Sequence, residues 1–180
     1  MNLKVRVLGL AMLLLALTGC SNGNKPHNSS SNTNNSYNVS VKKSQNKIGL
    51  KEASNPKYKP GQKVEILAKH MKGMYKAKGT VVNVYTSKLY MIDYKSTTTN
   101  KIVKNHKWVT SDEIKGQRKQ YKKGDKVTIK ADHMAGMKNS SATIAGVSEG
   151  PAYMVNYKST TTHKTVKNHK WVAENELASR

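Results

Sequence analysis

The chain has 180 residues, 32 Lys plus Arg against 10 Asp plus Glu, a formal net charge of +22 at pH 7 and a single Cys. One cysteine excludes both an intramolecular disulfide framework and a thiolate metal cluster. A hydrophobic fraction of 36% without any Phe restricts the folded part to one ordinary domain or two very small ones and leaves some of the chain too polar to fold.

Residues 1–19 read as a lipoprotein signal peptide. Lys4 and Arg6 precede an apolar run from Val7 to Leu17, which is too short for a stable transmembrane span. The run leads into Leu17-Thr18-Gly19-Cys20, a string that resembles a lipobox. That resemblance implies a lipidated Cys20 and a mature chain anchored at the extracellular face of the cell membrane; a plain secretory leader with an incidental Cys is the alternative. An exported chain does not meet nucleic acid. Its cations are nearly all Lys, which lacks the bidentate fork of Arg, so anionic lipid or wall polymer is the better match for the charge.

Residues 20–57 form the lipidated Cys and a Ser/Asn/Lys linker with no apolar period, expected as a flexible spacer. From Tyr58 the chain repeats itself at a fixed offset of 63 positions: Tyr58 matches Tyr121, Gly61 matches Gly124, and His70-Met71 matches His133-Met134. The repeats span 58–117 and 118–180. Alternating or β-branched segments predict strands at Val64–Ala68, Thr80–Tyr85, Leu89–Tyr94 and Lys107–Thr110. Their counterparts are Val127–Ala131, Thr143–Val147, Ala152–Tyr157 and Lys170–Ala173. Glu113-Ile114 and Glu176-Leu177 close each unit with a helical turn or a last strand. The fold class expected is all-β: two tandem small SH3-like, partly closed barrels.

Methionine and histidine carry the chemistry. Outside the leader, every Met has a partner in the other repeat, and both repeats contain His-Met-x-Gly-Met, as His70–Met74 and His133–Met137. Imidazole and thioether together select a soft ion, Cu(I) with Ag(I) as its mimic. Zn(II) prefers Cys or carboxylate beside His, while Ca(II) and Mg(II) take oxygen. The candidate ligands are His70, Met71, Met74, Met91 and His106 in the first repeat, with His133, Met134, Met137, Met154 and His169 in the second. Core packing competes with ligation for Met74 and Met137. On an extended strand Met91 shares a face with Asp93, and Met154 with Asn156, away from the apolar face. Trp108 and Trp171 read either as core anchors beside a hydrogen-bonded His or as cation–π partners of the ion.

The doubled His-Met-x-Gly-Met, Tyr-x-(Ile/Val)-(Asp/Asn)-Tyr-Lys-Ser-Thr and Asn-His-Lys-Trp-Val strings resemble the YdhK/CopL family of Gram-positive surface lipoproteins. The resemblance covers Tyr58 to the end of the chain. It implies a membrane-attached, extracellular copper-binding protein that contributes to copper resistance beside a copper-exporting ATPase. No Ser/His/Asp or Cys/His arrangement and no phosphate loop can be argued, so an enzyme is not expected. The competing reading is a tandem SH3-like module that binds cell-wall polymer or another polyanion through Lys, with Met as core.

Overall fold

In the computed structural model, residues 49–116 and 120–180 are described. The leader, Cys20 and most of the linker lie outside these residues. The described chain is all-β, and its only helical segments are two short 3₁₀ turns. The first repeat supplies β1 (Lys63–Ile66), β2 (Ala77–Tyr85), β3 (Leu89–Lys95) and β4 (Ile102–Thr110). The second supplies β5 (Lys126–Thr128), β6 (Ser141–Ser148), β7 (Ala152–Lys158) and β8 (Thr165–Ala173). A 3₁₀ turn follows β4 at Ser111–Glu113 and another follows β8 at Glu174–Glu176; the latter leads into β9 (Leu177–Ser179).

The sheets do not follow the repeats. One sheet has the order β8-β7-β2-β1-β9 and the other β4-β3-β6-β5, so each combines a hairpin from both repeats. Strand β2 pairs antiparallel with β7, Thr80 opposite Asn156, and β3 pairs with β6, Ile92 opposite Ile144. The chain crosses between sheets at 86–88 and again at 149–151. The two crossings touch, with Lys88 Nζ donating to Glu149 Oε1 at 2.8 Å. Units 58–117 and 118–180 are therefore sequence repeats, while each partly closed barrel draws on both. Because the two copies carry nearly the same strand pattern, pairing within a copy and pairing across copies satisfy the same side-chain alternation. Hydrophobic patterning alone cannot distinguish them.

Three apolar clusters result. Val64, Ile66, Met74, Val81, Tyr153, Val155 and Tyr157 fill one barrel, and Tyr90, Ile92, Tyr94, Ile129, Met137 and Ile144 fill the other. The third, with Tyr85, Leu89, Trp108, Met154 and Trp171, joins the two sheets, and Leu50, Val82 and Met91 pack against it. Residues 51–53, inside the expected spacer, pair with the fold. Strand β1 has four residues and β2 nine, so the far end of β2 leaves backbone groups unpaired. Residues 51–53 satisfy them, with Ala53 N–H donating to Val84 C=O at 2.9 Å and Thr86 N–H to Lys51 C=O at 2.8 Å.

Candidate functional site

Each His-Met-x-Gly-Met loop follows the first strand of its repeat and ends in a buried anchor. Met74 and Met137 are both 0% exposed and belong to the two barrel interiors. Gly73 and Gly136 have φ of 81° and 77°, a left-handed conformation that glycine reaches without steric cost. A Cβ at Gly73 would also run into the hydroxyls of Ser159 and Thr161, and one at Gly136 into those of Ser96 and Thr98. Thr160 N–H donates to Gly73 C=O, and Thr97 N–H to Gly136 C=O, both at 2.8 Å. The Ser-Thr-Thr-Thr turn of one repeat is thus the cradle for the loop of the other.

With the second Met of each loop fixed inward, the first Met and its His face the opposite way. Met71 and Met134, each 45% exposed, open with His70 and His133 onto one cleft of about 770 Å³, which His106 and His169 also line. Six of the ten candidate ligands therefore meet in one place shared by the repeats. The other four do not. Met74 and Met137 are core. Met154 is 2% exposed in the cluster between the sheets, and Met91 packs against the same cluster. The face of β3 and β7 that strand alternation marks as less apolar is covered by the other sheet, and that covering turns Met154 into a packing residue.

Two residues that motif reading passed over organise the cleft. Glu176 Oε1 accepts from His70 Nε2 at 2.8 Å, and its Oε2 accepts from Trp108 Nε1 at 2.8 Å and from Ala173 N–H at 3.0 Å. Glu113 repeats this with His133 Nε2 at 2.8 Å, Trp171 Nε1 at 2.8 Å and Thr110 N–H at 3.1 Å. Each carboxylate thus holds a His and a Trp of the other repeat. A signal was present in the sequence: Glu113 and Glu176 are the one pair of acidic residues that the 63-residue offset superposes. In so basic a chain, an acid retained in both copies marks a required anion. Each Trp is a core residue whose N–H serves a carboxylate, and the cation over its ring is Lys107 Nζ at 4.9 Å for Trp108 and Lys170 Nζ at 5.6 Å for Trp171.

The protonation states follow from these contacts. Burial pushes Glu176 upward, but the hydrogen bonds from His70 and Trp108 and the neighbouring charges outweigh it and bring the carboxyl down to about 2. Glu113 is also lowered, its burial overcome chiefly by the hydrogen bond and charge of His133 and by Trp171. An ionised carboxylate only accepts, so Nε2 of His70 and of His133 carries a proton, and in the neutral ring Nδ1 is the nitrogen left with a lone pair. Those Nδ1 atoms are buried without a hydrogen-bond partner, as are Nε2 of His106 and Nε2 of His169. Burial, reinforced by the other imidazoles, lowers His106 and His169 to about 4, so both rings are neutral at pH 7. Four orphaned imidazole nitrogens around one cleft are expensive for a fold that gains nothing from them.

The rings stand in cross-repeat pairs, His70 with His169 at 6.5 Å between centroids and His106 with His133 at 6.1 Å. Among the described residues, no three His, Cys, Asp or Glu side chains form a ready cage for one ion. The arrangement is one of two imidazole pairs in a cleft that Met71 and Met134 also line. Lys69, Lys104, Lys107, Lys167 and Lys170 lie along the same cleft.

The sequence pattern of a protein family described as of unknown function, DUF1541, matches twice, over residues 60–111 and 123–174. The uncharacterized protein YdhK of Bacillus subtilis (strain 168) is 37% identical over 190 residues, covering 100% of this chain and 93% of that one. The crystal structure of ydhK, a DUF1541 family protein from B. subtilis, is similar with a TM-score of 0.71 at 45% identity, covering 73% of this chain and 90% of that one. The solution NMR structure of the B. subtilis ydhK C-terminal domain gives a TM-score of 0.65 at 43% identity, covering 68% and 93%.

Proposed function

The chain belongs to the DUF1541 family as a two-repeat member, and from that premise we propose that it is a copper(I)-binding surface lipoprotein that buffers the metal outside the cell. The observation that carries this reading is the set of four buried imidazole nitrogens without partners, flanked by the exposed thioethers of Met71 and Met134. Nitrogen lone pairs and thioether sulfur suit a soft, low-charge ion. Glu113 and Glu176 hold the ring orientation and tautomer from behind, as carboxylates do behind metal-binding histidines. Thioethers also outlast thiols where the surroundings oxidise. The basic start of the leader, its apolar run and Cys20 support a lipid anchor, and the net charge of +22 suits residence in an anionic envelope. The same reading makes copper the cargo, a copper-exporting ATPase a natural companion and catalysis unnecessary.

Anaerobic titration with Cu(I) against a competing chelator tests the proposal. Tight binding is expected in the parent chain, with a loss of at least about tenfold when Met71 and Met134 are both changed to Leu. Replacing Met74 and Met137 with Leu should leave affinity unchanged. Equal affinity in the parent and in a chain lacking Met71, Met134 and the four cleft histidines would overturn the assignment. A second reading has its own observation, the five lysines along the cleft. A wall polyanion bound there would show salt-sensitive association that is indifferent to copper.

A further inference from the structure

The repeats share one cleft, but their ligating atoms do not converge on one point. His70 and His169 form one pair and His106 and His133 the other, each joining a loop histidine of one repeat to a strand histidine of the other. In each pair the loop histidine offers Nδ1 and the strand histidine Nε2. Two imidazoles that share an ion through metal–nitrogen bonds of about 2 Å place their ring centres about 6 Å apart when the ion is two-coordinate and near linear. The observed 6.5 and 6.1 Å match that spacing twice. We propose that the cleft takes two soft monovalent ions, one between His70 and His169, the other between His133 and His106, with Met71 and Met134 as weaker third contacts. This rests on the metal-binding reading above and adds the number of ions, their donor sets and the fact that neither repeat owns a site.

Charge supports the same count. Each half contains one ionised carboxylate, Glu176 behind His70 and Glu113 behind His133, and two imidazoles. A monovalent ion in each half adds the least positive charge beside these carboxylates; Glu176 already has Lys107 Nζ at 3.6 Å. A divalent ion would overcompensate on a rim already lined with lysine. Low coordination fits as well, because Glu113 and Glu176 are engaged by His and Trp, which leaves each half two nitrogens and one flexible thioether, with the exposed Asp132 beside His133 on the cleft rim.

The test is a titration of the full chain with Ag(I), followed by imidazole nitrogen and Met methyl NMR together with native mass spectrometry. Two Ag(I) per chain are expected. His70, His169 and Met71 should shift as one set and His106, His133 and Met134 as another, while the methyls of Met74, Met137 and Met154 stay in place. His169→Gln should remove one equivalent and spare the His106–His133 set; Met71→Leu, a milder change, should weaken the first set alone. Saturation of all four histidines by a single equivalent would overturn the two-ion proposal while leaving metal binding intact. Absence of any Ag(I) or Cu(I) binding would overturn the parent reading instead.

Discussion

The His70 half and the His133 half of the cleft are assembled from the same strings, and they differ in what surrounds those strings. On the His133 side, Trp171 is 0% exposed and meets Tyr85 edge-on at 5.6 Å. On the His70 side, Trp108 is 7% exposed, and the position matching Tyr85 is Ser148. The loops differ in charge: Lys69 and Lys72 flank His70-Met71, where Asp132 and Ala135 flank His133-Met134. The histidines, carboxylates, indoles and loop thioethers of the two halves are duplicated, and the residues that differ flank them. The duplicated residues define the chemistry, and the unduplicated ones adjust the stability and electrostatics of each half.

The largest expected contrast is in stability. Trp171→Ala should cost about 4–5 kcal/mol and Trp108→Ala about 3 kcal/mol by denaturant unfolding, since both remove a large buried ring, but Trp171 meets the Tyr85 ring edge-on at 5.6 Å where Trp108 meets the smaller, more distant His70 ring at 6.3 Å. Equal costs, or the reverse order, would show that Tyr85 does not distinguish the halves.

In their response to acid the halves should instead agree. His106 and His169 titrate near 4 in the folded chain against about 6.5 unfolded, so between these values the unfolded chain binds more protons. Stability contributed by the neutral rings is complete above about pH 6.5 and is lost as the pH falls toward 4, at most about 3 kcal/mol for each ring. The Glu176 contribution is present above the ordinary carboxylate value and is lost as the pH falls from about 4.5 toward 2. Thermal unfolding across pH 7 to 4 should show the first fall, and His106→Gln and His169→Gln should each flatten it by a similar amount. A flat profile in the parent chain would contradict burial of the rings as neutral bases.

The smallest contrast is in loading order. Two cations near one loop and an anion near the other should favour the His133–His106 pair by about 1 kcal/mol, or about fivefold, at low ionic strength. Below one equivalent of Ag(I), that set should shift first, and combining Lys69→Asp with Asp132→Lys should reverse the order. Simultaneous filling in both chains would mean that the unduplicated charges have no influence on the ions.

Much of this was legible in the residues. Alternation and β-branched runs located the strands but not all their starts: β2 begins at Ala77 rather than Thr80, and β4 and β8 begin at Ile102 and Thr165 rather than Lys107 and Lys170. The repeat offset exposed the His-Met-x-Gly-Met loops, and a shared acid pointed to Glu113 and Glu176 for a reader who looked for one. Met74 and Met71 illustrate the boundary. They lie three residues apart in one motif, and only the cradle of Ser159 and Thr161 determines that the first turns inward and the second outward. Met91 and Met154 mark it from the other side, since alternation assigns them a face without saying what covers it.

By itself the sequence determined an all-β chain written twice, the residue types available for chemistry, and a net charge of +22. Those are local properties, readable from period, composition and spacing. Tertiary structure decided that the copies exchange hairpins, that each carboxylate serves the opposite repeat, and that six candidates share one cleft while four are packing. The physical reason lies in the duplication. Two nearly identical patterns pair equally well within a copy or across copies, so local preference is degenerate, and only the packing of the whole chain selects the partner.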